Sequence, residues 1–138
     1  MEKRRGAVRP HAAAGLIAAL ALGLARPGPA SACELPAGKR LESARLSLSY
    51  RTVPARIASG EHFEVFFALC PKGGFRPASI VKVDASMPEH RHGMNYRPTV
   101  TPAGGEFRSQ GWMFHMPGRW EIVFEVDGER LADSLQIE

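Results

Sequence analysis

Methionine and histidine crowd together in this chain in a way that suits soft-metal chemistry. Four of the five methionines and three of the five histidines fall between residues 87 and 116. They form two islands, Met87-Pro88-Glu89-His90-Arg91-His92-Gly93-Met94 and Met113-Phe114-His115-Met116. Thioether sulfur and imidazole nitrogen are donors that suit copper, Cu(I) above all. The candidate ligands are His90, His92, Met94, His115 and Met116. His92-Gly93-Met94 offers nitrogen and sulfur from neighbouring positions, and His115-Met116 repeats the pair. A zinc site from His90, His92, His115 and Glu89 is the alternative, but the methionine enrichment favours the softer ion.

Each of these residues also has a plainer reading. Met87 is in phase with Val81, Val83 and Ala85, which makes it a core residue first. Met113 and Met116 flank Phe114 and His115, so one of them points inward on any extended path, and methionine commonly fills gaps in cores. His90 and His92 sit beside Glu89 and Arg91 in a loop bounded by Pro88 and Gly93, where there is little core to join. His62 is far away in sequence and reads as a surface residue at the start of a strand.

Catalytic readings find no support. The chain has no H-E-x-x-H and no G-x-S-x-G elbow. Cys70 is followed by Pro71-Lys72-Gly73-Gly74, without the nearby histidine or methionine that a blue-copper site needs. The expectation is a binding protein, not an enzyme.

The first 32 residues read as a secretory leader. Lys3, Arg4, Arg5 and Arg9 make a basic start, residues 12–25 are an uncharged apolar run too short to span a bilayer, and Ala30-Ser31-Ala32 is a small-residue cleavage site. The expected organisation is a cleaved signal peptide at 1–32 and one domain at 33–138, exported to the periplasm or beyond. The formal charge of +4 then belongs to the leader, which carries five of the 18 basic residues and one of the 14 acidic ones. The remaining chain is neutral. It has no basic block interleaved with aromatic residues, so neither nucleic acid nor an anionic membrane is expected as a partner.

The two cysteines, Cys33 and Cys70, both lie in the exported part, where an even count suggests a disulfide. The rival is a lipoprotein, because Cys33 directly follows the cleavage site. A lipid on Cys33 would give strong membrane affinity, but Ala30 stands where a lipobox usually has leucine.

These residues must be positioned by strands. His62–Cys70 places Phe63, Val65, Phe67 and Leu69 on one face. Residues 80–87 alternate, and so do Trp120, Ile122, Phe124 and Val126. Asp127-Gly128 is a two-residue hairpin turn before a last strand at about 129–137, since both positions tolerate positive φ. Shorter strands are expected at 44–50, 97–101 and 106–112, with Gly104-Gly105 turning between the last two. About seven short strands separated by turns predict an all-β, immunoglobulin-like sandwich. The islands then fall at strand ends, and Pro117-Gly118 reads as a turn with glycine at positive φ.

The run S-M-P-E-H-R-H-G-M-N-Y-R-P-T-V from Ser86, with G-E-F-R-S-Q-G-W-M-F-H-M-P-G-R-W-E-I from Gly105, resembles the YtkA-like family of exported bacterial domains. That family is related to FixH-like proteins. The shared words are an M-P-x-H-x-H-G-M loop and an M-x-G-x-W-E-I turn into a strand, and the resemblance spans about Glu61 to Ile137. It implies a small immunoglobulin-like sandwich working in copper handling or respiratory-complex assembly. Two functions follow as expectations. One is a non-catalytic domain that binds or relays copper, handing it to a periplasmic or membrane-protein partner. The other is a metal-free interaction module that docks on such a partner through its Met- and Trp-rich end.

Overall fold

The computed structural model describes residues 33–76 and 78–138; the expected leader lies outside them. Among the described residues there is no helix, and nine strands form two antiparallel sheets. The strands are β1 (Lys39–Glu42), β2 (Leu46–Val53), β3 (His62–Pro71), β4 (Val81–Met87), β5 (His92–Gly93), β6 (Thr99–Ala103), β7 (Glu106–Met113), β8 (Gly118–Val126) and β9 (Glu129–Ile137). One sheet has the order β1-β2-β3-β7-β6 and the other β5-β4-β8-β9. The fold is an all-β sandwich with two strands more than the expected seven. β1 is charged and exposed, and β5 has two residues, so neither shows the apolar alternation that marks a half-buried strand.

Alternation places the core. Phe63, Val65 and Phe67 of β3 and Trp120, Ile122 and Phe124 of β8 are buried, as is Val83 of β4. These are the inward positions of three strands, and they meet across the sandwich where Phe67 packs edge-on to Phe124 at 5.2 Å between ring centres. Both expected hairpin turns form. Asp127 and Gly128 take φ of 48° and 83°, which closes the pairing of Val126 with Glu129. Gly104 and Gly105 do the same between Ala103 and Glu106.

β7 breaks the period. Its register against β3 shifts between the pairs Phe63–Trp112 and Val65–Ser109. Gly111, at φ 90°, supplies the left-handed residue of this bulge. The extra residue turns both Ser109 and Trp112 inward, where the indole Nε1 donates to the Ser109 hydroxyl at 2.8 Å. A buried indole N–H needs such an acceptor.

Cys33 and Cys70 are joined, with Cα atoms 5.6 Å apart. The Cys33 thiol is therefore taken by β3 and is not free for a lipid. The bond closes a loop across a sequence separation of 37 residues. Loop entropy predicts that it contributes about 3–4 kcal/mol. The Cys33→Ser/Cys70→Ser protein should unfold at correspondingly lower urea; an unchanged midpoint would mean that the unfolded chain gains nothing from the cross-link.

A second tie crosses between the sheets. The Tyr50 hydroxyl of β2 donates to Asp133 of β9, and Lys39 pairs with the same carboxylate at 2.7 Å. Burial and the Asp133 charge push the Tyr50 phenol above its ordinary range, so it remains a donor. Burial pushes Asp133 upward, but the bonds from Lys39 and Tyr50 outweigh it and leave the carboxyl below its usual value. Hydrogen bonds from Arg108 and Arg51 likewise lower Glu64 and Glu106. These carboxyls hold protons less tightly folded than unfolded. Their stabilisation is therefore present above the ordinary carboxylate range near pH 4 and is lost as pH falls through the folded values. The urea midpoint should drop below about pH 4, and less steeply in Asp133→Asn. Parallel profiles for the two proteins would remove Asp133 from this account.

Candidate metal centre

Two connections meet at one end of the sandwich. The first is the hairpin between β4 and β5, in which Met87 pairs with His92 and Pro88–Arg91 form the turn. Arg91 closes it at φ 54°, and the His90 amide donates to the Met87 carbonyl. The second connection, residues 114–117, carries the chain from β7 in one sheet to β8 in the other. It is held from below, since the Phe114 carbonyl accepts from the Gly60 amide at 2.8 Å. Glu89 of the hairpin bonds Arg119 at the start of β8 at 3.1 Å. This pair is exposed and contributes little stability; it links the hairpin to the start of β8, just past the second connection.

The three histidines of the islands come together here. The ring centre of His92 lies 5.8 Å from that of His90 and 5.1 Å from that of His115. His92 and His115 both stand steeply against the indole of Trp120, at 5.8 and 5.3 Å. Trp120 is fully buried, stacks on Phe114 and donates from Nε1 to the Met116 carbonyl at 3.0 Å. It is a rigid wall for two of the imidazoles. His90 is exposed at the turn, while His92 and His115 are half-buried. Among the described residues, no three of His, Cys, Asp and Glu already surround a common point. The rings are neighbours, and a shared ion would require rotation of at least one side chain.

Two nitrogen atoms have defined surroundings. His92 Nδ1 lies 3.1 Å from the Gly93 carbonyl oxygen. His115 Nδ1 is buried and has no hydrogen-bond partner among the described residues. An orphaned buried nitrogen is uncommon and costs roughly 1–3 kcal/mol where no water or ion satisfies it.

No family model, curated protein or solved structure matches this chain.

The methionines divide differently. Met87 is fully buried, and a Cβ on Gly118 would stand 2.7 Å from its terminal methyl. Gly118, at φ 127°, is favoured by this left-handed backbone, whereas the Met87 methyl lies at the far end of a flexible side chain and can shift to relieve the close approach. Met116 and Met94 are partly buried and pack against the core. Met94 lines a groove beside β4 with Val83, Tyr96 and Val100, and none of the three histidines lines that groove. His62 is exposed at the first residue of β3, its Nδ1 3.2 Å from the Trp112 carbonyl and its ring against Tyr96, outside the cluster.

Sequence reasoning found the three histidines but not Trp120 as their wall, nor Arg119 as the partner of Glu89. The M-x-G-x-W spacing carries a local trace of the first, because the bond from Trp120 to the Met116 carbonyl spans four residues. The second joins residues 30 apart and leaves no local trace.

Proposed function

We propose that this chain is an exported, non-catalytic β-sandwich that binds or relays copper at the end where His90, His92 and His115 meet, with Met94 and Met116 nearby. The observation that carries the reading is the meeting of three imidazoles from two separate connections. Each connection is braced by backbone hydrogen bonds, and Glu89 links the hairpin to Arg119 at the start of β8. Imidazole is a ligand for copper in either oxidation state. The partnerless Nδ1 of His115 supports the same reading, since an ion would satisfy it. Membership of the YtkA-like family, with its copper-handling context, is part of the same proposal. Export by a cleaved leader is part of the proposal. It is supported by the disulfide, which persists in an oxidising compartment. In this reading the recipient or donor of the metal is a periplasmic or membrane protein.

The exposed position of His90 suits exchange more than storage, because a rim ligand can leave for a partner's site. The test is a competition titration of the secreted protein against chromogenic copper chelators near neutral pH, in reducing and in oxidising buffer. Withdrawal of one equivalent from a weak chelator is the expected result, and acidification should reverse it, since imidazolium cannot coordinate. If no copper is withdrawn in either buffer, the metal reading fails. A docking module would then be the remaining function, though Trp112 and Trp120 are both fully buried and present no indole to a partner.

A further inference from the structure

The surroundings of the ring nitrogens say more about the ion than the residue types do. A carbonyl oxygen only accepts, so the Gly93 contact means that neutral His92 carries its proton on Nδ1 and leaves the lone pair on Nε2. Metal-bound imidazoles are usually oriented in this way, with the second nitrogen donating to a carbonyl or carboxylate. His115 differs, because its Nδ1 is buried without a partner among the described residues. The spacing of the two rings suits a shared ion. Metal–nitrogen bonds of about 2.0–2.1 Å, with the ring centre roughly 1.1 Å further on, put two tetrahedrally placed imidazoles about 5 Å apart between centres. His92 and His115 are 5.1 Å apart. His90 is exposed on the turn, with its ring centre 5.8 Å from that of His92. Met94 and Met116 are partly buried and pack against the core, and Met94 lines a groove that none of the three histidines lines.

We propose that the site holds its ion by imidazole alone, through His92 Nε2, His115 Nδ1 and His90. The sulfurs of Met94 and Met116 remain in packing contacts. This rests on the copper reading above and departs from the Cu(I) preference that the methionine-rich sequence suggests. Imidazole accepts copper in either oxidation state, but without thioether sulfur the balance shifts toward a divalent cargo, with Cu(II) bound more tightly than Zn(II) by the general order of affinities. With three protein ligands, one coordination position is left open to solvent or to a partner's ligand.

The experiment uses Cu(II), Cu(I) and Zn(II) titrations against competing chelators on the secreted wild-type protein, on Met94→Leu/Met116→Leu and on His115→Ala. Leucine keeps the packing volume and removes sulfur. The methionine double variant should hold Cu(II) within about twofold of wild type, while His115→Ala should lose about 10- to 100-fold. Long-range proton–nitrogen NMR of the Zn(II)-loaded wild type should show His92 bound at Nε2 and His115 at Nδ1. A methionine variant that loses Cu(II) as His115→Ala does, or a His115 ring bound at Nε2, would overturn the imidazole-only arrangement and leave the copper reading in place. Wild type that takes up none of the three ions would overturn both.

Discussion

The His92→Ala protein is expected to bind copper about 100-fold more weakly than wild type while keeping its fold. His92 is the middle ring of the cluster and touches both His90 and His115. In the proposed site its loss removes one ligand and separates the other two. Removing partners that only orient a ligand typically costs 10–100-fold in affinity, so losing the central ligand belongs at the upper end. Stability should suffer little, because His92 is half-exposed and lies on a strand of two residues at the sheet edge. The check is the same chelator competition, paired with a thermal melt of the apo protein. Unchanged copper uptake in a folded variant would exclude His92 as a ligand. Arg119→Ala offers a graded companion, since it frees Glu89 and the hairpin without touching a ligand.

Phe67→Ala is expected to cost about 3–5 kcal/mol, a large part of the roughly 5–15 kcal/mol that holds a typical domain together. Phe67 has no solvent exposure. It stacks on Phe107 at 5.1 Å and meets Phe124 of the opposite sheet at 5.2 Å. Truncation removes the transfer free energy of the ring and leaves a cavity between sheets that cannot close over it. Urea unfolding followed by tryptophan fluorescence measures the change, since Trp112 and Trp120 are both buried. Phe67→Leu keeps most of the volume and should fall between the two. A midpoint equal to wild type would show that this position does not hold the sheets together.

The candidate site was partly legible before the fold was. The chain itself shows that methionine and histidine are confined to two islands, because that is composition and position. It also shows that Met87 belongs to the core, through its phase with Val83 and Ala85. It does not show which way Met94 and Met116 face. Met94 lies in β5's line beyond its two paired residues, and Met116 lies in a connection, so neither has a period to read. Only the fold shows that both are partly buried and packed against the core.

By itself, then, the sequence determined the strands that bury Phe63, Val65, Phe67, Trp120, Ile122 and Phe124, and the turns at Gly104-Gly105 and Asp127-Gly128. Alternation and φ preference act over two to four residues, and they need no partner to be read. It also limited the disulfide to one pair, because only two cysteines exist. Tertiary structure alone decided the rest. The bulge at Gly111 is what turns Trp112 and Ser109 to the same buried side, where the indole finds its acceptor. Tyr50 finds Asp133 only when β1, β2 and β9 are brought to one corner. The three histidines meet because β4 and β8 pair as neighbours, which sets the turn after β4 beside the connection before β8. That neighbourhood depends on sheet order, which is fixed by long-range burial of apolar faces and not by any local run of residues.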